Sequence, residues 1–304
     1  MNRYALLKKI AEETGCRVLE KEPMAKHTTF QIGGEADLYL AVKSKDALKK
    51  ILKTAKEQSI PIFLLGKGSN LLVSDQGIRG AVIKLEGEFS EVHLLEGNKI
   101  QCGAGATLAK LCTFALNNSL SGLEFAWGIP GSVGGAAFMN AGAYSGEMKD
   151  VLVCCEHITR DGISGAFKAE ELELSYRRSI YGDCDYIITS IVVELKKEKE
   201  DLIRLRMDDF MDRRKSKQPL KYPSAGSIFK RPKGHFAGGL IEQYGLKGAS
   251  VGGAMVSKKH SGFIVNTGNA TCKDVLSLID RIKGRIREET GIEMECEVKI
   301  VGEF

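Results

Sequence analysis

The chain has 304 residues, of which 43% are hydrophobic and 27% are charged, and its formal net charge is +5. This length allows two or three domains with substantial cores, and the ordinary composition excludes an intrinsically disordered protein. The charge is too small to indicate a nucleic-acid-binding protein unless basic residues cluster on one face.

The cysteines and the first residues of the chain bear on its compartment. The eight cysteines include no C-x-x-C pair, so neither a disulfide framework nor a metal site is predicted. The start, MNRYALLKKIAEETG, predicts a charged amphipathic helix rather than a signal peptide. The uncharged run at residues 125–146 contains six glycines and a proline, which argues against a transmembrane helix. We therefore expect reduced thiols, a cytoplasmic protein and no membrane partner.

The first half of the chain alternates strand and helix patterns. A strand (ADLYLAV), a helix (SKDALKKILKTAKEQS) with Ser44 as its N-cap, and a buried strand (IPIFLL) lead into the glycine loop GKGSN. This order predicts a parallel strand pair with a glycine loop at its carboxyl end. Short strands, the helix TLAKLCTFALNNSL and the glycine-rich stretch GIPGSVGGAAFMNAGAY follow, and then the strands VLVCCEHIT and YIITSIVVELK.

The pattern changes near residue 200. The charged helix EKEDLIRLRMDDFMDRRKSKQP precedes a basic loop, the short helix GGLIEQY, the strand GFIVN, the helix CKDVLSLIDRIKGRIREET and the strand MECEVKIVG. We predict a domain boundary at this change and a further division near residue 88. The expected parts are residues 1–88, 89–200 and 201–304.

Neither glycine-rich stretch matches a standard nucleotide motif. GKGSNL begins as G-x-G but has Leu71 where G-x-G-x-x-G needs its third glycine, and no G-x-x-x-x-G-K-[ST] is present. Each stretch taken alone predicts a tight turn. Together they supply main-chain N–H groups and the side chains of Ser69, Asn70 and Ser132, a combination that can hold a pyrophosphate beside a planar ring.

Six segments carry a resemblance when taken in order: LLGKGSNLLVSDQGIRGAVIKL, GLEFAWGIPGSVGGAAFMNAGAY, SYRRSIY, YPSAGSIFKRP, GGLIEQYGLKG and MECEVKIVG. Between about Thr28 and Gly302 the chain resembles the UDP-N-acetylenolpyruvoylglucosamine reductases, flavoenzymes of peptidoglycan precursor synthesis. The resemblance implies an α+β protein with the two-lobed FAD-binding fold of the vanillyl-alcohol-oxidase (PCMH) type. Its lobes would be residues 1–88 and 89–200, followed by an α+β substrate domain at 201–304.

The resemblance also implies non-covalent FAD, and NADPH as the hydride donor. The substrate would be UDP-N-acetylglucosamine enolpyruvate, reduced to UDP-N-acetylmuramate. In the glycine-rich stretch, glycine would be required because a side chain would collide with FAD. His27 is interpreted as structural, although some relatives of the wider fold attach flavin through a histidine. The expected FAD-binding residues are Gly66, Lys67, Gly68, Ser69, Asn70, Leu71, Gly128, Ile129, Pro130, Gly131, Ser132, Gly134, Gly135, Asn140 and Gly142.

Hydride addition to the outer carbon of the double bond leaves an enolate-like carbanion, which needs a nearby cation and then a proton. The resemblance places Arg177 at the substrate carboxylate, Ser227 as the proton donor and Glu297 as an aid to polarisation. Spacing alone does not select them. Arg178 stands beside Arg177, Ser227 follows a loop glycine, and Glu297 falls on the solvent-facing side of its predicted strand.

Residues 213–233 contain eight lysines and arginines and no acid. This is either a solvated basic face or a site for the UDP diphosphate. Lys217 and Arg231, with Gln243 for the sugar or uracil and Tyr176, are the candidate substrate contacts. Only a few residues separate Arg177 from the strand near Tyr186, so the tyrosine lid loop of some members is absent and the chain belongs to a shorter subtype.

Two alternatives stay open at this stage. A flavin-dependent alcohol oxidase of the same fold would not need the basic stretch. A basic nucleic-acid-binding module would need no cofactor, but the stretch has few aromatic residues and matches no known binding fold, so no nucleic-acid partner is predicted.

Overall fold

The computed structural model describes residues 3–304, which divide into two compact units. Unit 1 comprises the described residues up to Glu20, Leu38–Lys67 and Gly80–Arg214. Unit 2 comprises Lys21–Asp37, Gly68–Arg79 and Lys215–Phe304. Two early segments therefore belong to the unit that contains the C-terminal part of the chain. The finer division at residues 88 and 200 stays a prediction.

The helices follow the predicted pattern with one addition. Ser44 is the N-cap of the second helix, as predicted, and its hydroxyl accepts a hydrogen bond from the Ala47 N–H at 3.2 Å. A six-residue helix, α4, lies within the glycine-rich stretch, where none was predicted. The helices are α1 Ala5–Glu13, α2 Lys45–Glu57, α3 Leu108–Asn117, α4 Val133–Phe138, α5 Glu200–Lys217, α6 Ala237–Gln243 and α7 Cys272–Thr290.

Nineteen strands are present in the described residues. They are β1 Arg17–Pro23, β2 Glu35–Val42, β3 Ile62–Leu65, β4 Leu71–Val73, β5 Ile78–Leu85, β6 Val92–Leu95, β7 Lys99–Gly103, β8 Leu120–Ser121, β9 Gly142–Ala143, β10 Gly146–Glu147, β11 Leu152–Thr159, β12 Ser164–Lys168, β13 Tyr186–Glu194, β14 Lys196–Lys197, β15 Ser224–Ser227, β16 Ser250–Val251, β17 Ala254–Val256, β18 Phe263–Asn266 and β19 Lys299–Val301.

Unit 1 is built on sheets and one large apolar core. Most residues of a four-stranded sheet with the order β1-β2-β5-β3 belong to it, and β3 pairs in parallel with β5. The predicted parallel partner of β3 was β2, but β5 lies between them. A five-stranded antiparallel sheet has the order β12-β11-β13-β7-β6. The core of the unit includes fully buried Leu48, Ile83 and Ile191.

Unit 2 combines an antiparallel sheet, β15-β18-β17-β16, with helices α6 and α7 and the parallel pair β4–β19. Its core includes Phe30, Leu72, Val275 and Ile282. The predicted last strand, MECEVKIVG, is much shorter than expected, because only Lys299–Val301 pairs as a strand. No helix in residues 3–304 is long and apolar enough to span a membrane. All eight cysteines are free thiols.

An aromatic cluster around His157 fixes one edge of the five-stranded sheet. The His157 ring is buried between Phe167 and Tyr186, with ring centroids 4.6 and 4.8 Å away, and its Nδ1 lies 2.9 Å from the Tyr181 hydroxyl. Gly165 lies opposite on β12, where a Cβ atom would come within 2.6 Å of the imidazole Nε2. Burial lowers the pKa of His157, because the cationic ring would lose its hydration.

We predict that His157 makes the protein less stable in mild acid. The unfolded chain takes up a proton near the ordinary histidine pKa of about 6.5, whereas the folded chain resists it, so stability is full above that pH and falls below it. The His157→Phe variant should lose the Tyr181 contact at every pH but lack this acid-dependent loss. The parent–variant difference in unfolding free energy should change by up to about 1.4 kcal/mol per pH unit below pH 6. Denaturant unfolding of both proteins at pH 8 and pH 5 measures it, and a pH-independent difference would contradict it.

Candidate active site

The GKGSN loop presents an uninterrupted row of main-chain donors. Within residues 3–304, no acceptor group receives a hydrogen bond from the N–H groups of residues 66–70. Gly68 is buried and has a left-handed φ of +65°, where a Cβ atom would come within 2.2 Å of the His27 carbonyl oxygen. Buried N–H groups normally have partners, and a row of them in a turn is a typical anion-binding arrangement.

Helix α4 begins in the second glycine-rich stretch and keeps its own donors occupied. The Val133 and Gly134 N–H groups each donate at 2.8 Å, to the carbonyls of Ala106 and Ala104, and the Gly135 N–H donates to the hydroxyl of Ser132, the N-cap. The donors of this stretch without an acceptor in the described part of the chain include the N–H groups of Gly131 and Ser132.

The two loops meet within unit 1. A Cβ atom on Gly66 would lie 2.6 Å from the Ser132 hydroxyl oxygen, so glycine at this position permits the contact. Two lysines lie close together at the first loop, Lys67 within it and Lys84 opposite Leu65 across β3 and β5. Burial and the neighbouring charge of Lys67 both lower the pKa of Lys84. The arrangement suits a group with negative charge.

Several glycines of the second stretch are closely packed against other parts of the chain. A Cβ atom would lie 2.7 Å from the Cβ of Ala104 if placed on Gly134, and 2.8 Å from the Met211 Cε if placed on Gly128. On Gly142 it would lie 2.7 Å from the Glu147 Cβ, across the β9–β10 pair. At these positions a side chain would meet the chain itself, and the expected collision with FAD stays a prediction. Gly131 and Gly135 have looser surroundings.

The remaining predicted FAD-binding residues divide between surface and interior. Pro130 is exposed, Ile129 is half-buried, and Leu71 lies in β4, paired with Lys299 of β19. The Asn140 side chain is 0% exposed, so in this structure it presents no surface to a ligand. The His27 Nε2 lies 2.9 Å from a Glu22 carboxylate oxygen, a contact that supports its structural interpretation.

Arg177 lies at the tip of a tight turn, and its backbone is strained. Ser175 and Arg178 exchange main-chain hydrogen bonds of 3.1 and 3.2 Å, so Arg177 occupies the third position of the turn. Its φ is +57°, a value that in turns is usually found at glycine or asparagine. For other residues this backbone conformation costs about 1–2 kcal/mol. A guanidinium nitrogen donates to the Gly142 carbonyl at 3.2 Å, and the group stacks on Tyr176, 5.0 Å from the ring centroid.

The structure separates the two adjacent arginines. Arg178 is exposed and forms ion pairs with Asp183 at 2.6 Å and Glu173 at 3.6 Å. Arg177 is half-buried beside the glycine-rich stretch. The planar fork of a guanidinium in this position suits a carboxylate. Tyr176 is 50% exposed and covers one face of that fork.

Ser227 and Glu297 lie on neighbouring antiparallel segments of unit 2. The Glu297 N–H donates to the carbonyl of Ile228, the residue after Ser227, at 2.7 Å, and the Lys230 N–H donates to the Glu295 carbonyl at 2.9 Å. Within residues 3–304 no hydrogen bond reaches the Ser227 hydroxyl. The Ser227 and Glu297 side chains are both half-buried, which differs from the solvent-facing position that alternation predicts for Glu297.

The first glycine loop is bonded directly to this pair. The Asn70 side-chain amide donates to the Glu297 carbonyl at 3.1 Å, and the Asn70 carbonyl accepts from the Lys299 N–H at 3.0 Å. The β4–β19 pairing therefore places Asn70, the last residue of the GKGSN loop, next to the candidate catalytic residue Glu297. Two of the three predicted catalytic residues and one predicted cofactor residue are neighbours within unit 2.

The predicted substrate contacts of unit 2 are all exposed. Lys217 is the last residue of α5, and Gln243 is the last residue of α6, with its amide 3.4 Å from the Tyr244 hydroxyl. The Arg231 guanidinium lies 4.6 Å from the centroid of the Phe236 ring. Their positions are compatible with a solvent-facing anion site, and their substrate roles stay predictions.

One ion pair of a buried carboxylate near the site was not predicted from the sequence. Glu124 is 7% exposed, and the Arg206 guanidinium on α5 donates to its carboxylate at 2.8 Å. Burial alone would raise the pKa of Glu124, but hydrogen bonds from Arg206 and from main-chain N–H groups, Gly122 among them, keep the pKa below its usual value. This pair fixes the start of the glycine-rich stretch to α5. The sequence contains both charged residues, but it does not show that two residues 82 positions apart are in contact.

These observations fit FAD. The unsatisfied N–H groups of residues 66–70 would hold its pyrophosphate, and the bare backbone at Gly131 and Ser132 would lie alongside it.

The comparisons with known proteins place this site in a class. Residues 36–164 match the family described as "FAD binding domain", so the chain carries an FAD-binding domain of the PCMH type. A berberine bridge enzyme variant described as a reticuline dehydrogenase is similar in fold, with a TM-score of 0.50 and 19% identity over 64% of this chain and 44% of that one.

Residues 218–301 match the family described as "UDP-N-acetylenolpyruvoylglucosamine reductase, C-terminal domain". Reductases of that name from Syntrophomonas wolfei and Caldanaerobacter subterraneus are 50% and 47% identical, over 94% and 98% of this chain and 96% and 97% of their own. The Thermus caldophilus reductase has a TM-score of 0.81 at 40% identity, over 94% of this chain and 99% of that one. The chain belongs to the UDP-N-acetylenolpyruvoylglucosamine reductase family.

We predict that Gly66→Ala weakens FAD binding because the added Cβ meets the Ser132 hydroxyl. The dissociation constant of FAD should rise roughly tenfold, at the low end of the usual cost of overpacking. The double variant Gly66→Ala/Ser132→Ala removes that oxygen and should recover most of the affinity relative to Ser132→Ala alone. Titration of stripped protein with FAD measures all four constants. Equal effects of Gly66→Ala in both backgrounds would contradict the contact between the loops.

Proposed function

We propose that this chain reduces the enolpyruvyl group of UDP-N-acetylglucosamine enolpyruvate to the lactyl ether of UDP-N-acetylmuramate, with NADPH as reductant. The observation that carries this proposal is the hydrogen-bonded pairing of the Ser227 and Glu297 segments next to the GKGSN loop. A serine hydroxyl and a carboxyl group on segments next to a loop that suits a cofactor pyrophosphate support the proposal. The high identity to reductases of this name over nearly the whole chain supports the proposal.

When bound, FAD supplies the hydride chemistry that links NADPH to the substrate. The chain itself has to bind the substrate carboxylate, stabilise negative charge and deliver a proton. The Arg177 guanidinium would bind the carboxylate, which becomes more negative as the outer carbon is reduced. This stabilisation is larger in the transition state than in the ground state, so it accelerates the reaction rather than only tightening binding.

Ser227 would donate its hydroxyl proton to the inner carbon of the enolate-like species. The hydroxyl makes no hydrogen bond within residues 3–304, so no hydrogen bond within the chain has to break before the proton is donated. Glu297 is held by main-chain bonds to Ile228 and Asn70, and would orient the substrate and assist polarisation. A general acid in this position contributes about 10²–10⁴-fold to rate.

The basic residues of unit 2 would bind the diphosphate. Lys217 and Arg231 are exposed cations, and Gln243 offers an amide for the sugar or uracil. We further propose a cytoplasmic location and no nucleic-acid or membrane partner, because the substrate and NADPH are soluble nucleotides. The absence of the tyrosine lid loop assigns the chain to the shorter subtype of the family.

Ser227→Ala should separate the two halves of the reaction. NADPH should still bleach the yellow holoenzyme, since no proton from Ser227 is needed there, whereas the enolpyruvyl sugar should restore the colour about 10²–10⁴-fold more slowly. Stopped-flow absorbance at the flavin band measures both rates. Normal recovery by the sugar would contradict the acid role, and loss of the NADPH step would indicate disturbed folding instead.

Arg177 and Arg178 form a matched pair for testing the carboxylate role. Arg177→Ala should lower kcat/KM for the enolpyruvyl sugar by about 10²–10³-fold, comparable to the loss of one oxyanion-binding group. Arg178→Ala removes only exposed ion pairs and should change kcat/KM about twofold or less. Steady-state kinetics with NADPH in excess compare them. Equal losses in both variants would contradict the assignment.

A further inference from the structure

Asn140 connects the glycine-rich stretch to the turn that carries Arg177. Its side-chain amide donates both of its protons, to a Glu147 carboxylate oxygen at 2.7 Å and to the Ser175 carbonyl at 3.0 Å. Its carbonyl oxygen accepts from the Lys149 N–H at 2.9 Å. The residue is 0% exposed and has a left-handed φ of +42°, which asparagine tolerates better than most side chains.

The Ser175 carbonyl is the base of the Arg177 turn. It accepts from the Arg178 N–H at 3.2 Å as well as from Asn140, so both of its lone pairs are used. The turn has to keep Arg177 in a strained left-handed conformation. The hydrogen bond from buried Asn140 to the base of the turn opposes relaxation of that strain, because breaking it leaves the buried side-chain amide without one of its two acceptors.

Two further bonds join the same segments. The Arg177 guanidinium donates to the Gly142 carbonyl at 3.2 Å, and the Ser179 hydroxyl donates to the Phe138 carbonyl at 2.7 Å. Asn140 lies between Phe138 and Gly142 in the chain, and among the described residues it is the one whose side chain donates to the base of the turn. Its contacts account for the residue without any ligand.

We infer that Asn140 is a positioning residue that holds Arg177 in its reactive geometry, rather than a residue that contacts FAD. This inference rests on the proposed function of Arg177. It explains why a fully buried asparagine stands in a stretch of small residues, and it predicts that Asn140 affects the reaction only through Arg177.

The test is a double-mutant cycle in the holoenzyme. Asn140→Asp keeps the shape and the acceptor for the Lys149 N–H, but replaces both donors with an acceptor. Oxidation of the reduced enzyme by UDP-N-acetylglucosamine enolpyruvate should slow by about 10²-fold, as expected for a misplaced binding group, while reduction by NADPH stays within twofold. In an Arg177→Ala background, Asn140→Asp should cause no further loss. Asn140→Gly, which suits the left-handed backbone, serves as the second variant if the aspartate prevents folding.

Ser179→Ala is the matched control. It removes a buried bond between the same two segments without touching the base of the turn, so it should lower the thermal midpoint but leave oxidation by the sugar unchanged. Additive losses in the Arg177→Ala background, or an equal loss in Ser179→Ala, would overturn the inference in favour of a general structural role.

A readout without turnover distinguishes this inference from the proposed function. Phenylglyoxal labelling, followed by mass spectrometry, gives the reactivity of Arg177 relative to exposed Arg178. The ratio should rise in Asn140→Asp and Asn140→Gly but not in Ser179→Ala. An unchanged ratio would overturn the inference even if the parent reduces the sugar, and a parent that does not react with the sugar while the ratio rises would contradict only the proposed function.

Discussion

Close packing around glycines is the constraint on which the site depends. Gly134 allows the start of α4 to reach Ala104, Gly128 allows α5 to approach, and Gly66 allows the first loop to meet Ser132. Each of these contacts is too short to accommodate a Cβ atom without movement. The glycines therefore shape the walls of the site first, and a cofactor can lie only on the backbone that those contacts leave open.

The main-chain hydrogen bonds distinguish donors that are used within the protein from donors that are available to a ligand. The N–H groups at the start of α4 are occupied within the chain, whereas those of residues 66–70 are not. A short helix preceded by glycines would ordinarily suggest an anion site at its N-terminus. Here the donors available to an anion belong to the other loop, because Ala104, Ala106 and Ser132 already accept the helix donors.

The candidate catalytic groups are held by main-chain bonds and by buried polar contacts rather than by long side chains alone. Glu297 is fixed through Ile228 and Asn70, and the Arg177 turn is fixed through Ser175. Short-range constraint of this kind suits a reaction in which a carboxylate must meet a cation in one geometry. The buried Glu124–Arg206 pair adds a further restraint at the start of the glycine-rich stretch.

The sequence by itself determined the helices other than α4, about half of the strands, the FAD-binding class and the family, because capping, periodicity and ordered motifs are local signals. Only the tertiary structure decided that β5 lies between β2 and β3, that Arg177 rather than Arg178 is half-buried, and that Ser227 and Glu297 are neighbours. It also decided that Asn140 is buried and that several glycines meet protein. These features depend on contacts between residues far apart in the chain, and local patterns contain no information about which distant backbone approaches them.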